Sequence, residues 1–294
     1  HGFELLMASY AMCHMKLDML LTETGYKPSN ANNPPRLGVY LTNSLEEHHP
    51  ETGQLFAQFL SREANAANDI KKNTPIMVAI GNPPYSGESS NKGDWIMKEM
   101  EAYKREPSGG KLQEKNSKWI NDDYVKFMRM GEYYIEKNGE GVLAYITNHS
   151  YLDNPTFRGV RYHLMQTFDD IYILDLHGNS LKKEISPDGT QDKNVFDIQQ
   201  GVSIILAIKK QSKKSDLAKI YHFDLYGNRD EKFEWLRKNT ISSPKIVEIK
   251  PVTPSYFFTP KNNDLMDEYQ TGFGLNTLFP INSVGIVTAR DALT

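Results

Sequence analysis

Pro75-Ile76-Met77-Val78-Ala79-Ile80-Gly81-Asn82-Pro83-Pro84-Tyr85 decides the fold class. Six residues without a polar side chain end at a Gly-Asn-Pro-Pro turn. A continuous apolar run of this length reads as a strand buried on both faces, the usual state of a central strand in a parallel sheet. Working upstream, residues 53–68 read as a helix with Leu55, Phe56, Phe59 and Leu60 on its buried face, and residues 37–41 as a strand. Gly25, Pro28, Asn30, Asn33, Pro34 and Pro35 mark a loop. Residues 7–21 have helical spacing, and residues 3–6 before them read as the end of a strand. Downstream, helices are expected over 122–137 and 156–167, and strands over 141–147, 171–176, 201–209 and 219–224. The stretch 201–209 is expected to run antiparallel to 171–176. The alternation predicts an α/β fold whose sheet is mostly parallel with one antiparallel strand.

The 294 residues suit one large domain, or one domain and the start of another. Hydrophobic residues make up 39%, enough for a sizeable core. The formal net charge of −3 argues against a self-sufficient DNA binder, despite lysines at 209, 210, 213, 214 and 219 that read as a solvated strand end. Cys13 is the single cysteine, so neither an intrachain disulfide nor a thiolate metal site can form, which fits a reducing cytoplasm. Adjacent His48 and His49 cannot share a helix face, and no metal site is expected. No apolar run is long enough to span a bilayer. Residues 86–117, rich in Gly, Ser, Lys and Glu, read as a long loop or lid. Beyond about Asp230 the pattern weakens and prolines 244, 251, 254 and 260 punctuate it. A catalytic domain over 1–230 and an extended connector over 231–294 are expected. The chain opens at His1 and closes at Thr294 without lead or stop, and reads as part of something larger.

The motif after the apolar strand has a composition suited to one chemistry. Ligands bind beyond the carboxyl ends of strands in open α/β sheets. An exocyclic aromatic amine is a poor nucleophile because its lone pair is delocalised into the ring. Two carbonyl acceptors on its hydrogens draw the nitrogen towards tetrahedral geometry and stabilise the charge that develops on attack. The Asn82 side chain and the Pro83 main chain can supply them, held by two consecutive prolines of fixed φ. Tyr85 can stack on a base flipped out of a duplex. The alternative is a plain turn that ends a strand.

Asn82-Pro83-Pro84-Tyr85 resembles the target-amine motif of N6-adenine methyltransferases. Gly2-Phe3-Glu4-Leu5 resembles the end of their second strand, with Glu4 matching the acidic residue that holds the cofactor ribose. Leu41-Thr42-Asn43-Ser44-Leu45 resembles the segment that contacts the cofactor adenine. Residues 141–157, 171–179 and 195–207 are similar to strands of single-polypeptide restriction-modification enzymes of the Type ISP kind. The resemblance implies a Rossmann-like class I methyltransferase sheet using S-adenosylmethionine, with Glu4, Asn43, Ser44 and Gly81 at the cofactor and Asn82, Pro83, Pro84 and Tyr85 at the target base. It implies double-stranded DNA with a flipped adenine as substrate, and nuclease, helicase and target-recognition domains in the same polypeptide. The family's first strand and its glycine-rich cofactor loop have no counterpart here; Gly139-Glu140-Gly141 and Gly272-Phe273-Gly274 are misplaced for that loop. The chain alone is therefore expected to bind cofactor weakly or not at all, and to be inactive.

Other readings remain open at this point. Glu4 could instead be a helix N-terminal charge, and Asn43 and Ser44 a helix cap or turn. Asn148, His149 and Tyr151 could line the base pocket or form an ordinary loop. Arg158 and Arg161 share a helix face and could meet phosphate, although surface solvation fits them as well. Trp95 and Trp119 read as loop packing, with base stacking the bolder option. Protein glutamine methylation uses the same acceptor logic, and a non-catalytic DNA-binding module that has kept the fold is the third function open. A nicotinamide dehydrogenase is disfavoured, since no Gly-x-Gly-x-x-Gly follows an early strand.

Overall fold

The computed structural model describes residues 1–280 apart from 31–33, 48–57, 86, 88, 115–116, 212–215, 244, 263, 266–267 and 270. His48, His49, Leu55, Phe56, Lys213 and Lys214 lie outside the described residues, as does the side chain of Phe59. The chain divides into one unit over His1–Thr259 and a second over Pro260–Thr294. The second contains a one-turn helix, Leu275–Leu278. Among the described residues no helix is long and apolar enough to cross a membrane.

The first unit has α/β architecture with two sheets. Strands β1 (Gly2–Glu4) and β2 (Val39–Leu41) pair in parallel, with helices α1 (Met7–Glu23) and α2 (Gln58–Asn73) between and after them. The second sheet contains β3 (Val78–Gly81), β4 (Gly141–Asn148), β5 (Asp170–His177), β6 (Val202–Lys209), β7 (Lys219–Asp224) and β8 (Val247–Ile249), in the order β3-β4-β6-β5-β7-β8. Helices α3 (Asp94–Glu99), α4 (Asp123–Asn138), α5 (Arg158–Thr167) and α6 (Arg229–Lys238) connect them.

The sheet corrects the expectation in two respects. It is mixed: β6 runs against β4 and β5 as expected, and β8 also runs against β7. A three-residue strand, Val-Glu-Ile, between proline-bearing segments carries too little pattern to be read in advance. The apolar strand β3 is not central here but lies at the sheet edge, with Val78 60% and Ile80 80% exposed. Its composition is that of a strand covered on both sides, yet among the described residues only β4 flanks it.

The core lies between the β4-β6-β5-β7 strands and the helices α3, α4 and α5. It includes Leu143, Ile173, Ile205, Met128, Val160 and Phe168. Helix α4 approaches the sheet closely at Gly131, where a Cβ would meet Leu143 Cδ1 at 2.6 Å and Tyr145 Oη at 2.9 Å. Gly139 ends that helix in the left-handed region with φ 90°, which glycine adopts without strain. The described residues of the polar stretch 86–117 form a folded insert rather than a long loop or lid. It contains α3, and Ile96, Met100 and Tyr103 are fully buried in the core. The first unit also continues past Asp230. Phe258 is buried, its N–H donates to Leu152 O at 2.8 Å, and its carbonyl accepts from His222 Nδ1 at 2.8 Å.

Candidate active site

Asn82 is the first residue after β3, at the strand's carboxyl end, where Gly81 still pairs with Tyr145 of β4. Asn82 and Pro84 are exposed, Pro83 is buried and Tyr85 is half-buried. The buried proline anchors the turn while the asparagine side chain stays accessible. The Tyr85 hydroxyl lies 3.1 Å from Asn82 Oδ1 and 3.2 Å from the main-chain oxygen of Ile146. Its ring meets Tyr124 edge-on at 6.2 Å. Burial pushes the Tyr85 phenol above its ordinary value, so its proton is retained.

The motif opens onto a cleft of about 800 Å³. Residues 1–5 with Asn43 and Ser44 form one wall, and residues 75–84 form the other. Ile70 and Lys71 of α2, and Phe127, Met130, Gly131 and Tyr134 of α4, also line it. All eight residues expected at the site except Tyr85 line this cleft, and Tyr85 hydrogen-bonds into it through Asn82. Among the described residues, the facing strands β1 and β3 are each hydrogen-bonded to a neighbour on one side only.

Within the cleft, Glu4 Oε1 accepts from Leu6 N at 3.0 Å, and Oε2 has no partner among the described residues. Asn43 spends its side chain on the turn. Its Oδ1 accepts from Leu45 N at 3.0 Å, and its Nδ2 donates to Glu46 Oε1 and Asn91 Oδ1, both at 3.1 Å. At Gly81 a Cβ would meet Tyr145 at 3.5 Å, an ordinary contact.

Lys71 was not expected at the site. Its ammonium is buried and donates to Thr42 Oγ1 at 3.2 Å, Asn43 O at 2.7 Å and Glu46 O at 3.0 Å. It also lies over the Phe3 ring at 5.3 Å. Burial pulls its pKa down to about 8, against the charge of Glu46. In the sequence it is one of two lysines at a helix end, which reads as an ordinary solvated C-terminus.

Beyond the cleft, the carboxyl ends of β4, β5 and β7 carry a buried histidine–carboxylate network. His149 Nδ1 lies 3.1 Å from Asp175 Oδ1, and Asn179 Nδ2 donates to His149 Nε2 at 3.2 Å. That donor fixes the tautomer: Nδ1 carries the proton. A bulge between Asp175 and His177 and a φ of 52° aim the His177 ring at Asp224, 2.8 Å away, and stack it on Tyr226 at 3.9 Å. Burial opposes the charged form of His177, but hydrogen bonds to Asp224 and Glu184 and the charge of Asp175 push its pKa up to about 9. His177 groups with His149 and Glu184, and with Asp175 and Asp224, at spacings that could hold a metal. Both groups are already closed by hydrogen bonds among themselves and Asn179.

Several other expected residues lie elsewhere. Asn148 caps the following turn by accepting from Ser150 N at 2.8 Å, and His149 and Tyr151 are buried. Arg161 is neither a phosphate contact nor solvated. It is fully buried and donates to the carbonyls of Tyr151, Asn154 and Ser255. Arg158 forks onto Glu106 and reaches Glu114. Trp95 packs edge-on against Tyr133 at 5.3 Å, while Trp119 is 45% exposed beneath Lys118. Lys210 pairs with Asp170 at 2.7 Å.

The Eco57I restriction-modification methylase family model matches residues 15–181, which include β3, the Asn82–Tyr85 turn and β4. None of the curated proteins matches significantly. The ATP-dependent Type ISP restriction-modification enzyme LlaBIII bound to DNA superposes with a TM-score of 0.70 at 24% identity, over 91% of this chain and 18% of that one. A nuclease-deletion mutant of the Type ISP enzyme LlaGI in complex with a DNA substrate mimic gives 0.70 at 20% identity, over 91% and 22%. The DrdV–DNA complex gives 0.65 at 23%, over 87% and 24%. The chain thus spans about a fifth of the length of these structures, and the likeness establishes a shared fold. With more than half of its length matched and the motif inside the match, this chain belongs to the Eco57I restriction-modification methylase family.

Proposed function

We propose that this chain is the target-amine part of a DNA adenine-N6 methyltransferase acting within a restriction-modification enzyme. The observation that carries the reading is Asn82: an exposed amide at the carboxyl end of an apolar strand, lining a cleft and held between two rigid neighbours, Gly81 in the ladder and buried Pro83. Asn82 Oδ1 and the Pro83 carbonyl accept the two hydrogens of adenine N6. As the nitrogen attacks, its lone pair leaves the ring and positive charge builds on it, which both acceptors stabilise. The proton departs to water after the methyl group has moved, so no general base is required. Tyr85 offers its ring to the flipped base.

The residues present fit the nucleoside half of S-adenosylmethionine. Glu4 has a carboxylate oxygen without a partner among the described residues, suited to a ribose hydroxyl, and the Asn43–Ser44 turn, pinned by Lys71, forms the wall beside it. When bound, that cofactor supplies an electrophilic methyl group on sulfur. The apolar, exposed edge of β3 and the one-sided pairing of β1 support a further strand between them, supplied from elsewhere in the polypeptide and bringing the remaining cofactor contacts. Nuclease, helicase and target-recognition domains in that polypeptide, and a cytoplasmic location, belong to the same reading.

The test is transfer of a labelled methyl group by the full-length polypeptide to DNA and, in parallel, to glutamine-bearing peptides. Label in N6-methyladenine is expected. Label only in peptide would replace the DNA reading with glutamine methylation.

A further inference from the structure

The Tyr85 hydroxyl faces two acceptors with one proton. Asn82 Oδ1 is 3.1 Å away and Ile146 O is 3.2 Å away. Ile146 lies one position past Tyr145, the last β4 residue in register with β3, and the residue of the next turn that faces it, Pro83, has no N–H to donate to its carbonyl. A backbone carbonyl has no proton to give, whereas an asparagine amide carries both an acceptor and two donors. A half-turn of the Asn82 amide exchanges Oδ1 and Nδ2 at nearly unchanged positions.

We propose that Tyr85 is a positioning residue that selects the orientation of the Asn82 amide. The Tyr85 proton goes to Ile146 O, and the Tyr85 oxygen, now presenting a lone pair, accepts from Asn82 Nδ2. All three groups are satisfied, and Asn82 Oδ1 is turned away from Tyr85 towards the cleft that Asn82 lines. In the opposite orientation, Asn82 Oδ1 accepts from Tyr85 and the amide turns Nδ2, which cannot accept, to the other side. The strand end of β4 thereby sets, through one hydroxyl, which atom of Asn82 meets the target. This deepens the reading of Asn82 as the amine acceptor and rests on it. The phenol keeps its proton in this setting, as the relay requires.

The experiment compares Tyr85→Phe, Tyr85→Leu and Asn82→Ala in the full-length enzyme, with steady-state methyl transfer and fluorescence of a 2-aminopurine placed at the target position. Tyr85→Phe keeps the ring and removes the proton. It should lower kcat about tenfold, leave KM for DNA within about twofold, and leave the base fluorescence as in the parent. Tyr85→Leu should also raise KM and change the fluorescence. Parental kcat in Tyr85→Phe, with Asn82→Ala inactive, overturns the relay and leaves the functional reading standing. Equal losses of kcat, DNA affinity and base fluorescence in Tyr85→Phe also overturn it, since they mark a hydroxyl that merely supports the fold. An active Asn82→Ala removes the functional reading itself. Should Tyr85→Phe fail to fold, 4-fluorophenylalanine at position 85 keeps the volume without the proton and is read the same way.

Discussion

The ammonium of Lys71 lies 2.7 Å from the main-chain oxygen of Asn43, tying the last turn of α2 to the turn that follows β2. Its three N–H donors have three acceptors, in Thr42, Asn43 and Glu46. Substitution by methionine keeps much of the volume and leaves those acceptors unmet. An unsatisfied buried acceptor costs about 1–3 kcal/mol, partly offset by removing a buried charge. Lys71→Met should therefore lose about 2 kcal/mol in denaturant unfolding, and should weaken cofactor binding by the full-length enzyme more than DNA binding. Unchanged cofactor affinity would detach this lysine from the cleft wall.

Arg161 holds the segment after β8 to the loop before α5. Its Nε and Nη2 donate to Ser255 O at 3.0 and 2.6 Å, and Nη1 to Tyr151 O at 2.6 Å and Asn154 O at 2.9 Å. Arg161→Met strands three carbonyls, and a loss of roughly 3 kcal/mol is expected. Limited proteolysis should then cut between residues 250 and 259 before any other part of the first unit. Protection of that segment in the variant would show that Phe258 and its neighbours hold it without the arginine.

The pH dependence of stability has a defined sign at His177. Its pKa is about 9 in the fold, against about 6.5 in an unfolded chain. The charged ring faces Asp175, Glu184 and Asp224, with His149 edge-on and Tyr226 stacked on it. A raised value means that its contribution, about 3 kcal/mol, is complete below pH 6.5 and is lost as pH rises through 9. Lys71 acts oppositely, since its lowered value makes the unfolded chain bind more protons between about pH 8 and 10.5. The measurement is the stability difference between the protein and His177→Gln across pH 6 to 10. It should shrink towards high pH; a constant difference would contradict the charged assignment.

What could be read from the residues alone follows the periodic and unusual segments. The 75–85 stretch yields both a strand and the turn that ends it, because a six-residue apolar run suits few local structures and Gly-Asn-Pro-Pro cannot continue a ladder. Strands β4, β5 and β6 are legible for the same reason, being long and apolar. Ile96, Met100 and Tyr103 are spaced four and three apart, but the surrounding Gly, Ser, Lys and Glu conceal the insert they bury. Lys71 and Arg161 escape because a lysine or arginine is ordinarily surface-seeking, and only the fold delivers the carbonyls that satisfy them. The edge position of β3 escapes because a strand's composition records the neighbours it is suited to, not those present. Tyr85 is legible as an aromatic platform; its bond to Ile146, 61 positions away, is not.

The central claim is that the Asn82 carbonyl grips the amine being methylated. It is tested most directly by single-turnover methyl transfer to duplex DNA by Asn82→Ala in the full-length enzyme, with unfolding and DNA affinity measured alongside. Loss of one preorganised charge-stabilising group costs about 10²–10³ in rate. The expected result is a fall of at least that size with stability and DNA binding near parental, since Asn82 is exposed. Turnover within a few-fold of the parent would contradict the account.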